Sequence, residues 1–313
     1  MTNYNIWRSN MSENKTPDNI KEKVREHYAK AITLKVENLD NSCCTPAEAT
    51  DSSAPCCAPQ PVEFDKEAAE RFAKMAGYTD EQLANMPGTV TSFGCGNPVP
   101  FMKVKEGDVV LDLGSGSGLD LILAAKKVGL TGKAIGLDMT DEMINVCRKN
   151  LVTAGVVNAE VRKGEMEEMP VVDCEVDWII SNCVINLSPD KEKVFKESFR
   201  VLKPGGQVMV SDIVTIDLPD EYRSDIGAWV GCIAGAVEEN EYIRLMKEAG
   251  FENVEVVEKL IYDDSTIAAL ANDNCGCGDE GNRTLSKEDV NRYANRVASV
   301  RVYAKKPDGG CCC

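Results

Sequence analysis

VVLDLGSGSG, residues 109–118, is a short apolar run, broken once by Asp112, that stops abruptly on glycines at 114, 116 and 118. Such a run reads as a buried parallel strand entering a tight turn, with 119–128 helical behind it. Alternating glycines let the backbone approach a ligand closely and turn into a helix N-terminus. The spacing is G-x-G-x-G. A nicotinamide fingerprint needs its third glycine one place later, where this chain has Leu119.

Working outward, Lys133 to Leu137 (KAIGL) is a second short apolar strand, closed by Asp138, Met139 and Thr140. An acidic residue at the end of the second strand is placed to bind both hydroxyls of a ribose. Strand and helix patterns keep alternating from Gly107, as in a doubly wound sheet. A helix is expected over 141–154 with Gly155 past its end, then strands near 159–163 and 176–181. Ser188-Pro189 has the form of an N-cap with proline at the first helical position. Val194, Phe195, Ser198, Phe199 and Leu202 give that helix an inward stripe, and Lys203-Pro-Gly-Gly206 is expected to break it before a fifth strand at 207–212. A helix at about 238–249 and strands at 254–262 and 298–304 follow. Upstream, 19–36 has the spacing of one amphipathic helix, with His27 on its polar side. Residues 37–62, rich in Ser, Thr, Pro, Ala and Cys, read as a flexible segment. A second helix is expected over about 65–76, and Thr79-Asp-Glu-Gln82 matches a capping box that opens a third.

The 313 residues carry a formal charge of −16, which argues against a nucleic-acid partner. No apolar run reaches the length of a membrane span and none has the form of a signal peptide, so a cytoplasmic location is expected. Fourteen cysteines then need a reason. A disulfide scaffold does not suit a long chain with its own core pattern, and paired CxxC zinc spacings are missing. The single histidine, His27, disfavours Ser-His-Asp or Cys-His hydrolysis. Clustered thiols without histidine suit a soft, thiophilic ion. Cys95 stands between two glycines just before the first strand, Cys183 directly after the fourth, and Cys232 after the fifth among small neighbours. Ligands of open α/β sheets bind at the carboxyl ends of strands, so these are expected to face the substrate. Cys147, in a helix, and Cys174, beside an acidic turn, are expected only to pack or to lie exposed.

The glycine turn and Asp138 resemble the first two motifs of class I S-adenosylmethionine (SAM) methyltransferases. Together with GCGNP around Cys95, SNCVINLSPDK around Cys183, KPGG and GCIAGA around Cys232, the chain over roughly 20–304 is similar to microbial arsenite methyltransferases. The resemblance implies a Rossmann-like doubly wound α/β sheet with a helical, Cys-rich N-terminal extension and a short C-terminal α/β region covering the substrate. The implied division is 1–62, the helix and Cys-rich segment; 63–212, the SAM-binding core; 213–304, the arsenic-binding region and last strands; and 305–313, a Cys-rich tail. Asp112, Gly114, Ser115, Gly116 and Gly118 would shape the methionine end of the SAM pocket. Asp138 and Met139 would hold the ribose, and Gly164, Glu165 and Met166 would sit near the adenine. Cys183 and Cys232 would hold As(III) throughout, joined by Cys95, which would pair as a disulfide with Cys44, or Cys43 beside it, during turnover. Arsenic is substrate, as As(III) or its glutathione conjugates, and no metal cofactor is implied. Thioredoxin or glutathione would return the electrons. Two departures stand out: Phe93 replaces a tyrosine common in the family, and the thiols at 275, 277 and 311–313 are additions that either capture metalloid and pass it inward or are solvent-exposed thiols without a catalytic place. Two other functions compete: a quinone-type small-molecule SAM methyltransferase, which leaves the placement of three cysteines to chance, and a thiol-rich metalloid-sequestering protein, against which the complete glycine turn argues.

Overall fold

A computed structural model describes residues 16–40, 73–74, 76–84, 86–90, 94–219, 235–272 and 287–309. Seven strands form one sheet: β1 (Val109–Leu113), β2 (Lys133–Asp138), β3 (Ala159–Lys163), β4 (Val176–Asn182), β5 (Leu202–Thr215), β6 (Glu252–Ile261) and β7 (Val297–Lys305). Their order is β3-β2-β1-β4-β5-β7-β6. The first five are parallel, and β7 slots in antiparallel between β5 and β6. The helices are α1 (Pro17–Asp40), α2 (Asp80–Ala84), α3 (Leu119–Val128), α4 (Asp141–Thr153), α5 (Lys191–Val201), α6 (Glu239–Glu248), α7 (Asp264–Asn272) and α8 (Lys287–Tyr293).

The central strands are apolar throughout because both faces are covered, and successive side chains point to opposite faces. Leu111, Ile135, Ile179 and Val208 face α5 and α6 through Val194, Phe195, Tyr242 and Met246. Their neighbours Val110, Ala134, Trp178 and Met209 face α3 and α4 through Leu121, Ile122, Ile144 and Leu151. Helix α1 is attached from outside, with Ile32 packed on Met143 and Val146 of α4. Among the described residues no helix is long and apolar enough to cross a membrane.

Most expected elements fall within two residues of those observed; the differences have local causes. Helix α5 begins after Asp190, whose carboxylate accepts from Lys193 N at 3.1 Å, not at Ser188-Pro189. The Ser188 hydroxyl is engaged elsewhere: it donates to Glu167 Oε1 at 2.7 Å and accepts from Asp190 N at 3.1 Å. Lys203-Pro-Gly-Gly206 does not separate helix from strand either, for β5 starts at Leu202. Gly205, at φ +77°, donates to Lys306 O, and Lys306 N donates back to Gly206 O at 2.8 Å, so the far end of the chain pairs this stretch. The Thr79/Gln82 capping box forms in both directions, at 2.9 and 3.2 Å. Helices α7 and α8 had no counterpart in the sequence reading. Most of the expected 65–76 helix, and the Cys-rich segment beyond Asp40, lie outside the described residues.

Candidate active site

The carboxyl ends of β1, β2 and β4 open into one cleft of about 1020 Å3, part of it open to solvent. Nine of the ten residues expected at the cofactor line it: Asp112, Gly114, Ser115, Gly116, Asp138, Met139, Gly164, Glu165 and Met166. Gly118 does not. It caps α3 at φ +98°, and a Cβ there would lie 2.7 Å from Cys147 Sγ, so its lack of a side chain serves the packing of α4 behind the turn. At Gly114 (φ +65°) a Cβ would overlap Val184, which leaves the bare turn as the floor of the cleft.

Asp138 is fixed by backbone amides. Gly116 N donates to Oδ2 and Thr140 N to Oδ1, each at 2.9 Å. Burial raises its pKa, and these amides oppose the rise. Each oxygen accepts one amide and keeps a lone pair for a hydroxyl.

At the other end of the cleft, Cys95 and Cys183 are bonded to each other, with their Cα atoms 5.8 Å apart. Cys183 lines the cleft at the end of β4, with φ at +59°, and donates from its N to Ser211 O at 2.8 Å. Cys95 N donates to Cys183 Sγ at 3.1 Å, and Ser299 on β7 donates to Cys95 O at 2.9 Å. The flanking glycines have a steric reason: a Cβ at Gly94 would overlap the Asn182 amide, and one at Gly96 would lie 2.6 Å from Ser211 Oγ. The pair packs into an apolar cluster of Ile213, Leu218, Ala236, Tyr262, Ile267 and Tyr293. The pairing of Cys95 with Cys44 implied by resemblance is thus not the bond present here; Cys95 is joined to Cys183. Cys44, Cys43 and Cys232 lie outside the described residues, as do Phe93, Cys56, Cys57, Cys275, Cys277 and Cys311–Cys313. Leu218 and Ala236, on either side of the segment that carries Cys232, both belong to the cluster around Cys183.

Several cleft residues escaped the sequence reading. Asp120, in the first turn of α3, accepts from Tyr78 OH at 2.7 Å and from Asn182 Nδ2 at 3.2 Å. Asn182 also donates to Gly96 O at 2.5 Å and to Tyr78 OH at 2.9 Å, and accepts from Gly96 N at 3.2 Å. One amide therefore ties the cofactor cleft to the loop of Cys95. Helix α1 closes the opposite side with Lys21, Val24 and Tyr28. Lys21 Nζ lies 2.6 Å from Glu165 and 3.3 Å from Glu167. The periodicity of α1 was visible, but nothing local said what it covers. Below the Cys183 loop, buried Lys191 donates to Asn186 O and Ser188 O at 3.3 Å each. Burial lowers its pKa to about 8 and raises that of Asp212, which accepts from Tyr242 OH at 3.2 Å, to about 7.

The remaining described thiols stand apart. Cys147 is buried and free, its thiol pushed up to about 12 by burial, as expected of a packing residue. Cys174, expected only to pack or to lie exposed, is disulfide-bonded, and its sulfur accepts from Lys306 Nζ at 3.7 Å. It precedes β4, so it lies at the end of the sheet away from the cleft.

A methyltransferase domain model matches residues 104–250. The chain is 39% identical over 301 residues to an arsenite methyltransferase of Halobacterium salinarum, covering 95% of this chain and 69% of that protein. It is 38% identical over 191 residues to an arsenite methyltransferase of Aquipseudomonas alcaligenes, covering 58% of this chain and 55% of that one. The fold is similar to an arsenic (III) S-adenosylmethionine methyltransferase from Chlamydomonas reinhardtii, with a TM-score of 0.58 and 31% identity over 81% of this chain and 76% of that chain.

Proposed function

The chain belongs to the arsenite methyltransferase family, and from that premise we propose that it moves the methyl group of SAM to trivalent arsenic held by Cys95, Cys183 and Cys232. The observation that carries this reading is the contact between two sulfurs from segments 88 residues apart, at the mouth of a cleft whose other end has the ribose-type carboxylate. The cleft fits SAM: Asp138 offers two oxygens to a diol, and the buried Asp112 Oδ2 has no hydrogen-bond partner, as suits a cationic ligand. SAM supplies an electrophilic methyl on a sulfonium.

The chain's own groups do the rest. Thiolates bind As(III) pyramidally and raise electron density on its lone pair, so no general base is needed. The apolar cluster around Cys183 keeps water from the bound arsenic. Alignment of the two halves supplies proximity, with reacting atoms about 3–3.5 Å apart. Methylation takes arsenic from the trivalent to the pentavalent state, and two electrons must return. Oxidation of the Cys95 and Cys183 thiolates to one disulfide releases two. Attack by Cys44 on Cys95 Sγ would then free the Cys183 thiolate and leave a Cys44–Cys95 disulfide for glutathione or thioredoxin to reduce. This cycle needs reduced thiols, in keeping with a cytoplasmic setting. On the same reading the division at 62, 212 and 304 marks functions, not folding units, since β5 runs through residue 212.

The test uses reduced protein, SAM, arsenite and a thiol reductant, with arsenic species separated over time. Methylated arsenic should appear in proportion to enzyme. SAM binding without any As(III) binding would remove the thiol site and leave a methyltransferase for another acceptor.

A further inference from the structure

Five carboxylates line the cleft, Asp112, Asp120, Asp138, Glu165 and Glu167, and of the three aspartates only Asp138 accepts a backbone amide on each oxygen. Asp112, at the end of β1, is 3% exposed and keeps one oxygen unpartnered. Asp120 is 8% exposed and is held by two neutral groups, Tyr78 and Asn182. Among the described residues no lysine or arginine forms an ion pair with either. Among the described residues Lys21 is the one basic side chain lining the cleft, and it is engaged by Glu165 and Glu167. Buried carboxylates without a cation are costly unless a ligand brings one.

SAM carries a sulfonium and an ammonium against one carboxylate. Its demethylated product, S-adenosylhomocysteine, has a neutral sulfur instead. Asp120 sits at the thiol end of the cleft, where the methyl must leave, because Asn182 joins it to Gly96 beside Cys95 and directly precedes Cys183. We propose that Asp120, oriented by Tyr78 and Asn182, is the specificity-determining residue that makes the cleft favour the charged methyl donor over the neutral-sulfur product. The inference rests on SAM being the methyl donor. It gives the product a reason to leave: methyl transfer removes the positive charge that the carboxylate holds.

The ionisation of the site supports this. Burial raises Asp120 to about 6, against the lowering effect of the Tyr78 and Asn182 hydrogen bonds. Burial, then Asp120 and Asp138, pushes Asp112 well above the usual carboxylate range. The groups facing Asp120 are Asp112 from β1, Asn182 from β4 and Tyr78 before α2, with Asp138 from β2 beyond Asp112. Arg301 of β7 lies behind Tyr78 and donates to Ala76 O at 3.3 Å. A bound cation favours the ionised carboxylate, so SAM should bind more weakly as pH falls through about 6, and the neutral-sulfur product much less so.

The experiment is calorimetric titration of the reduced full chain with SAM and with S-adenosylhomocysteine from pH 5 to 8. Wild-type protein should prefer SAM at pH 8 and lose that preference toward pH 5. Asp120→Asn should weaken SAM by about 10-fold, the equivalent of one pKa unit, leave the product within about 2-fold, and flatten the pH dependence. Retained product binding shows that the variant is folded. Tyr78→Phe should keep the preference at pH 8 but move its loss to higher pH, since a hydrogen bond that lowers the Asp120 pKa is gone. Equal weakening of SAM and product in Asp120→Asn would overturn the inference. Wild-type protein that binds neither would overturn the methyl-donor reading itself.

Discussion

The cofactor half and the thiol half of the cleft are built differently. The cofactor half comes from the loops after β1, β2 and β3, and its groups are mostly backbone: a glycine turn, two amides on Asp138, and a helix N-terminus. The thiol half comes from residues 94–98, the end of β4, the 183–190 loop, β7 and helices α7 and α8, and its reactive groups are side chains. A backbone site is fixed as soon as neighbouring strands pair. A side-chain site exists only once five separate segments have packed, so single substitutions should damage it more selectively.

The sharpest separation of the halves should come from the sulfurs. Cys183→Ser or Cys232→Ser is expected to abolish methylation of both arsenite and methylarsenite while SAM binding persists, read by arsenic speciation beside calorimetry. Cys44→Ser or Cys95→Ser should spare methylarsenite more than arsenite, and equal loss on both would break the relay. Next in size is the support beneath the thiol loop. Lys191→Met removes the buried donor to Asn186 O and Ser188 O and the charge that opposes the burial penalty on Asp212, a loss of about 1–3 kcal/mol. It should appear as a lower melting temperature with a weakened As(III) site; an unchanged melt would show the loop to be held by other contacts. On the cofactor side, Gly118→Ala pushes a methyl toward Cys147 at a positive φ and should cost about 1–3 kcal/mol. Adding Cys147→Ala should recover part of that in a denaturant titration, which no cofactor-contact role for Gly118 would predict. The smallest effect belongs to Lys21→Ala, which opens a partly exposed ion pair at the rim and should weaken SAM only about 2–5-fold.

This contrast also explains how far the sequence could be read. The glycine turn, Asp138 and the strands β1 to β4 were legible because each is a local pattern within about ten residues. In the thiol half the placement of Cys183 and Cys232 after strand ends was legible, but their joint role with Cys95 came from the resemblance, since nothing in Cys95 or Cys183 alone says that they meet. Asp120 stood in plain view as an acidic residue in a helix first turn, where a favourable dipole contact is the ordinary reading. Its burial against Tyr78 and Asn182 depends on residues 42 and 62 positions away. KPGG misled for the same reason. Two glycines and a proline look like an interruption until Lys306, from the far end of the chain, pairs with them. The Asp263 cap that opens α7, with Thr266 N donating to it at 2.8 Å, is a local signal that was present and passed over.

The Cys95–Cys183 bond also alters what kind of chain this is. It ties together residues 88 positions apart, and β1, β2, β3 and the whole of β4 lie between them. When it is formed, that stretch is a covalent ring; when it is reduced, the same stretch is a linear polymer. Closing a ring of that size removes disorder from the unfolded chain worth about 4–5 kcal/mol on the chain-entropy account. On the proposed cycle, which makes and breaks this bond in every turnover, the chain alternates between two polymer topologies. Its reduced, substrate-ready form should be the one more easily unfolded by heat or cut by a protease.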